Sequence, residues 1–307
     1  MAGTADVMVY MMQKNEGLLL DNWLRHYGRL FGPANLTVLD NDSDDLLTRR
    51  LLADAVANGS RVSYAFRTHD DFRNKGDIIR GLAEDDMRRR RFDFVLPVDC
   101  DELLAVFTDG TISTHERDVH AELLSYRGCE CALRLELSLM NCPGEPGWFA
   151  SDEHFVKSLV PSLPIGQSDY GFHSWLPRDA PWYRGTRLAY LHYHNPELRK
   201  AREKARWKLH GRLDIGDAEA LRCYNGPGAH LTPFLLMGEG EYVTRYRGRL
   251  RLCLDGETVW FRYPDSEQPV LWDPHRYDAA YPGLRENYAH GLLHHFVRSG
   301  FYEGRRL

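Results

Sequence analysis

Long apolar runs are missing from this chain. No stretch of about 18 consecutive apolar residues occurs, so no segment is expected to span a membrane. The first residues, MAGTADVMVYMMQKNEG, lack a basic region followed by an apolar stretch, so no secretory leader is expected. Positive charge is not in excess: 39 Lys and Arg stand against 44 Asp and Glu, a net charge of −5. Nucleic acid is therefore not an expected partner. Cysteine is scarce, with six residues in 307. Cys100, Cys129, Cys131, Cys142, Cys223 and Cys253 form no CxxC pair. A chain of this length does not need disulfides, so the cysteines fit a reducing, cytoplasmic setting, as small buried residues rather than a zinc site. Repeats and low-complexity linkers are absent too. What remains is 43% hydrophobic and 27% charged, the composition of one large globular domain, or of one domain with a sizeable extension.

The apolar pattern orders the elements. Val7 to Met12 is a nearly continuous apolar run, as in a buried parallel strand. Leu19, Leu20, Trp23, Leu24 and Tyr27 then share one helical face. Asn35 to Leu39 reads as a second strand, Leu46 to Val56 as a helix, Arg61 to Phe66 as a third strand, Asn74 to Arg91 as a helix and Phe92 to Val98 as a fourth strand. Such alternation predicts βαβ units and a mainly parallel sheet flanked by helices. Ligands on these sheets bind at the carboxyl ends of the strands. Here those ends carry Asn15-Glu16, Asp40-Asn41-Asp42 and Asp99-Cys100-Asp101-Glu102. Beyond about residue 130 the segments shorten: Ala132 to Met140, Phe155 to Val160 and Arg187 to Tyr193 read as strands. Pro196 to His210 reads as a helix with Asn195 as its cap. Thr244 to Leu254 and Thr258 to Tyr263 read as β, and Glu286 to Val297 as a last helix.

Asp99-x-Asp101 follows an apolar strand. Two carboxylates at that spacing reach one hard divalent cation, which in turn bridges to phosphates. As a bare pattern the tripeptide also fits a solvated turn. His192-x-His194 ends another strand-like segment, and residues two apart on a strand share a face. Either imidazole suits Mn²⁺, where carboxylates and imidazole mix; half-buried structural histidines are the other reading. The helix that follows carries Arg199, Lys200, Arg202, Lys204, Arg206 and Lys208. It is either a solvated basic face or a source of one lysine, Lys204 or Lys200, for a diphosphate. The Arg88 to Arg91 run reads as a solvated helix end or as a contact for anionic lipid or an acidic acceptor.

Five motifs in order then resemble a known family. They are Gln13-Lys14-Asn15-Glu16-Gly17, Trp23 to Tyr27, Asp40 to Asp45, Pro97 to Leu104 with Lys157-Ser158-Leu159-Val160-Pro161, and His192-Tyr193-His194 with Lys204. Over residues 7 to 210 the chain resembles galactan-synthase-like glycosyltransferases of the GT-A fold and their bacterial, family-2-like relatives. The resemblance implies a GT-A-like, Rossmann-like α/β fold over residues 1–214. Residues 1–130 would form the nucleotide-sugar half and 131–214 the acceptor side, with 215–307 a mixed α+β extension of unknown role. It further implies that Asn15 and Glu16 face a nucleoside, that Asp40, with Asp42 in the same cluster, meets a uracil N–H or ribose hydroxyl, and that Lys75 and Lys204 approach the diphosphate. Asp99, Asp101 and His192 would hold Mn²⁺ (or Mg²⁺). Relatives mostly invert, which calls for a carboxylate base; Glu145 is the preferred candidate, with Asp152, Glu153 and Asp169 as others.

The expectation from sequence is thus a metal-dependent transferase moving sugar from a nucleotide-sugar donor, a UDP-sugar, to a glycan or glycolipid in surface polysaccharide synthesis. It would be cytoplasmic, with peripheral membrane contact as an option. A sugar-nucleotide pyrophosphorylase would want a Gly-rich loop after the first strand, which Gln13 to Gly17 does not supply. A non-catalytic carbohydrate- or nucleotide-binding protein of the same fold is the other alternative, and an intact acidic pair counts against it.

Overall fold

The computed structural model describes residues 3–152 and 156–307. It divides into two compact units: Met1–Leu139 with Asp152–His192 and Asp273–Leu307, and Met140–Ser151 with Tyr193–Trp272. The first opens with β1 (Val7–Gln13), α1 (Leu18–Phe31), β2 (Leu36–Asp40), α2 (Leu46–Ala57), β3 (Arg61–Ser63), α3 (His69–Arg73), α4 (Lys75–Arg89) and β4 (Phe94–Pro97). Every residue of β1, β2 and β4 is buried, which is why these strands read as continuous apolar runs rather than alternations. β1 pairs in parallel with β2 (Met11 opposite Val38) and with β4 (Val9 opposite Leu96), and β2 with β3. Leu20, Trp23, Tyr27 and Leu30 of α1 join Val7, Val9, Met11 and Val38 in one core. Side chains set the helix starts: Asp45 accepts the Thr48 N–H of α2 at 2.7 Å, and Thr68 with Asp71 forms a reciprocal capping box on α3.

The chain continues through β5 (Glu102–Phe107), β6 (Ile112–Ser113), α5 (Glu116–Leu124), β7 (Ala132–Leu135), β8 (Leu137–Asn141), β9 (Trp148–Asp152), β10 (Lys157–Pro161), β11 (Ile165–Gln167), β12 (Leu176–Pro177), β13 (Tyr183–Gly185) and β14 (Leu188–His192). The main sheet of the first unit runs β13-β7-β10-β4-β1-β2-β3. β10 lies antiparallel to both β4 and β7, and the other four pairings of this sheet are parallel, so the α/β sheet is mainly parallel with one antiparallel strand. After β4 the chain leaves this sheet through a four-residue turn into β5, and a segment much later in the chain, β10, takes the place beside β4. β5 pairs antiparallel with β14, placing His192 opposite Glu102. Phe155, expected to start a strand, and Glu153 lie outside the described residues.

The second unit holds α6 (Leu198–Leu209), α7 (Ala218–Cys223), α8 (Thr232–Leu236), α9 (Glu239–Thr244), β15 (Arg251–Asp255), β16 (Thr258–Arg262) and β17 (Val270–Leu271). β9, β15, β16 and β17 form an antiparallel run. Leu198, Ala201, Ala205 and Leu209 of α6 bury against Leu231, Phe234 and Tyr242. The expected cap, Asn195, instead exchanges hydrogen bonds with Asn141 at 2.8–2.9 Å, and Glu197 precedes the helix. The stretch expected as strand from Thr244 is α9 up to that residue, and β begins only at Arg251.

The chain then rejoins the first unit with α10 (Pro274–Ala280), α11 (Leu284–Asn287) and α12 (Leu292–His295). Residues 215–307 are therefore not one extension. Arg285 pairs with Asp109 at 2.5 Å, and Arg298 pairs with Glu136, which ties the last segment to the first unit. The single helix expected from Glu286 is broken at Gly291, whose φ is +87°; a Cβ there would stand 2.7 Å from Asp109 Oδ1. No helix among the described residues is long and apolar enough to cross a membrane.

Candidate functional site

The turn Val98 to Asp101 joins β4 to β5 at the carboxyl edge of the parallel strands. Glu102 folds back: its Oε2 accepts the Asp99 backbone N–H at 2.9 Å. Two ammonium groups meet Asp99, one at each oxygen. Lys75, the first residue of α4, reaches Oδ1, and Lys157, the first residue of β10, reaches Oδ2 at 2.8 Å. Lys157 also lies 3.1 Å from Glu102 Oε1 and donates to the Gly171 carbonyl at 2.7 Å. The antiparallel insertion of β10 beside β4 produces this meeting, because it brings the start of β10 to the end of β4.

Both lysines are almost wholly buried, at 4% and 2% exposure. Burial penalises the Asp99 carboxylate, but Lys157 and Lys75 more than offset it and hold its carboxyl well below the usual range. Burial also penalises the Lys157 ammonium, and Asp99 with Glu102 overrides that penalty, so its pKa is raised. Asp99 and Lys157 thus favour each other's charged forms. Aromatic rings close it: the Lys75 nitrogen lies 4.5 Å from the Phe172 ring centre, 5.2 Å from Tyr170 and 5.3 Å from Phe72. Phe172 is fully buried with φ of +61°, a conformation that costs a non-glycine residue on the order of 1–2 kcal/mol. Asp169 pins this loop by accepting the Gly171 and Ser174 N–H groups at 3.1 and 2.6 Å. α4 approaches it so closely that a Cβ on Gly76 would stand 2.4 Å from the Asp169 carbonyl oxygen.

Asp101 faces a different partner. His192 Nε2 lies 3.6 Å from Asp101 Oδ1 and 3.8 Å from Glu102 Oε1, while its Nδ1 meets Ser138 Oγ at 3.1 Å. Burial would lower the His192 pKa, but Asp101 and Glu102 outweigh it and raise the value. A nitrogen–oxygen separation of 3.6 Å is too long for a hydrogen bond. It suits two ligands sharing one cation at about 2.1 Å each. A carboxylate oxygen beside an imidazole nitrogen is a donor set that suits Mn²⁺. Asp99, expected as a ligand, has an ammonium at each oxygen instead.

The expected nucleoside contacts stand at the ends of β1 and β2 but are engaged by other groups of the protein. Asp40, 4% exposed, accepts from Gln13 Nε2 at 2.7 Å, from Ser43 Oγ at 2.5 Å and from Ser43 N at 3.1 Å. Asn15 Oδ1 accepts the N–H groups of Asp44 and Asp45, and its Nδ2 donates to Asp44 at 2.6 Å. Asp42 pairs with Arg67, and the Glu16 N–H donates to Gln13 Oε1 at 3.3 Å.

Lys204 stands on α6 and Glu145 follows β8, both in the second unit. So does His194, whose ring lies 5.9 Å from that of His230 and 5.8 Å from that of Phe234. Glu145 is bound by Arg251 at 2.7 and 2.9 Å and by Arg262 at 3.2 Å. Both oxygens of this carboxylate are engaged by guanidinium groups, so serving as the expected base would require breaking those pairs. The structure thus joins Lys75, Asp99, Asp101 and His192. It adds Lys157, Glu102, Ser138 and Phe172, which residue-by-residue reading of the sequence did not assign. The signal for Lys157 was a lysine in a short strand that buries every residue.

No family model and no curated protein matches the chain. Among solved structures, it is similar to S. aureus TarS 1-349 (14% identity, 78% of this chain and 71% of that chain, TM-score 0.36). It is also similar to the mannosyltransferase PcManGT of Pyrobaculum calidifontis in complex with GDP-Man and Mn²⁺ (13%, 78% and 72%, 0.31). A third is glucosyl-3-phosphoglycerate synthase of Mycobacterium tuberculosis with phosphoglyceric acid (14%, 67% and 79%, 0.31).

Proposed function

We propose that this protein is a metal-dependent glycosyltransferase of the GT-A type that uses a nucleotide-sugar donor. The observation that carries the reading is the Asp101–His192 pair beside a carboxylate clamped by two buried lysines, at the carboxyl edge of the parallel strands. Asp101 and His192 would hold Mn²⁺ or Mg²⁺, which supplies charge stabilisation to a departing nucleoside diphosphate. Lys75, at the start of α4, places a cation and a helix N-terminus on the same edge, where a diphosphate is favoured. Lys204 remains the proposed second phosphate contact.

A UDP-sugar is the proposed donor, a glycan or glycolipid of the cell surface the proposed acceptor, and inversion the proposed outcome. The β1 and β2 loops shape the nucleoside end; with Asn15, Asp40 and Asp42 engaged within the protein, recognition there falls to backbone groups and to rearrangement of the exposed Asn15. With Glu145 held by two arginines, Asp169 is the other candidate base, its oxygens accepting the Gly171 and Ser174 N–H groups.

The test is calorimetry of UDP binding with and without Mn²⁺, followed by donor hydrolysis across nucleotide sugars with Mn²⁺ or Mg²⁺. Metal-dependent UDP binding and hydrolysis of one donor are expected. Failure of every nucleotide to bind in the presence of metal would sink the proposal.

A further inference from the structure

We infer that Lys157 is a positioning residue of this site: it fixes the acidic turn through Asp99 and Glu102 and does not itself touch the ligand. The inference rests on the metal and nucleotide reading above. Three oxygens surround the Lys157 nitrogen: Asp99 Oδ2 at 2.8 Å, Glu102 Oε1 at 3.1 Å and the Gly171 carbonyl at 2.7 Å. Two of the three N–H groups are hydrogen-bonded, to Asp99 and to the Gly171 carbonyl, and the Glu102 carboxylate faces the nitrogen as an ion pair at 3.1 Å. The Phe172 ring centre lies 5.2 Å away, and the residue is 2% exposed. Buried between two carboxylates and an aromatic ring, this nitrogen already has its counter-charge within the protein.

Lys75 differs. Among the described residues its hydrogen-bonded oxygen is Asp99 Oδ1, and aromatic rings take up the rest of its surroundings. Of the two cations on Asp99, Lys75 is the one with donors to spare.

The contacts of Lys157 close a ring. Its ammonium binds the carboxylates of Asp99 and Glu102, and Glu102 binds back to the Asp99 N–H at 2.9 Å. The span enclosed is Cys100 and Asp101 alone, so pinning both ends sets where the Asp101 carboxylate lies opposite His192. Strand register supports the same point from two sides. β10 is held to β4 and β7, and β14 sets His192 opposite Glu102. A flexible lysine becomes a fixed point because both its backbone and its nitrogen are held.

The experiment measures Mn²⁺ alone, by loss of the free-ion paramagnetic resonance signal, on the full chain. Lys157→Met keeps the length and removes the charge. It is expected to weaken Mn²⁺ at least tenfold, and Lys157→Arg, which keeps the charge, to recover part of that loss. If Lys157→Met does not fold, the measurement is made on Lys157→Met/Glu102→Gln, which buries one fewer uncompensated charge. Weaker Mn²⁺ binding by the folded double variant than by Glu102→Gln alone supports the inference, because the contribution of Glu102 then cancels. Wild-type Mn²⁺ affinity in either folded variant overturns it. If the wild-type chain itself leaves the Mn²⁺ signal unchanged, the metal reading fails first, and the inference fails with it.

Discussion

Two acidic clusters stand on the same sheet edge, and their carboxylates are answered in different ways. At the end of β2, Asp40 is satisfied by Gln13 and by Ser43, three residues on, so neutral donors of the adjoining loops complete it. At the end of β4, Asp99 is met by Lys75 and Lys157, which stand 24 and 58 residues away in the chain. The first cluster shapes a loop, as Asx-type turns do. The second exists only because distant strands bring cations to it. Acidity alone therefore does not mark a site on this edge; the source of the counter-charge does.

The largest effect should separate the two clusters directly. Asp101→Asn preserves shape and removes a metal-ligating charge, and it should lower donor turnover by about a hundredfold or more while the melting temperature barely moves. Asp40→Asn should do the reverse. It should cost about 1–3 kcal/mol of stability through the buried hydrogen bonds it disturbs, with Mn²⁺ affinity unchanged. Urea denaturation and metal titration of both variants decide the matter. Loss of Mn²⁺ affinity in Asp40→Asn would erase the distinction.

A middling effect concerns buried groups with no counter-charge to hold them. Burial pushes His26 down to about 4 and His294 down to about 3. Both are neutral in the folded chain, whereas the unfolded chain takes up their protons near pH 6.5. The stability associated with them is therefore complete above about pH 6.5 and falls as pH drops toward 4 and then 3. His294→Gln should flatten part of that fall. Melting temperatures from pH 7.5 to 4.5 would show it, and an equally steep slope in the variant would count against this origin.

The smallest effect is expected at Asp42, whose partner Arg67 is exposed. Arg67 holds the Asp42 carboxyl below its usual range, yet solvent screens such a pair. Asp42→Ala should leave the urea midpoint nearly unchanged. A marked fall would mean that the β2 loop depends on this pair as the β4 turn depends on its lysines.

The order β1-α1-β2-α2-β3-α4-β4 was legible because runs such as Val7 to Met12 and the spacing of Trp23 and Tyr27 on α1 encode burial locally. The position of Asp99 and Asp101 at a strand's carboxyl end was legible for the same reason. The antiparallel entry of β10 was not, since no short pattern states which strand a distant segment will join. Glu145 looked like an available carboxylate in a Gly/Pro-rich loop; Arg251, 106 residues on, claims it. Asn195 looked like a cap, but Asn141 offered it better-placed partners.

By itself, the sequence determined the alternation of strand and helix, the polar carboxyl edge and the acidic tripeptide, because each follows from the period of apolar residues along a few turns or strands. Only the tertiary structure decided which carboxylates face cations, which face their own loop, and that Lys75 and Lys157 meet at Asp99. A buried charge must find a counter-charge or donors within about 3–4 Å. Which group arrives there depends on how strands far apart in the chain come to lie side by side.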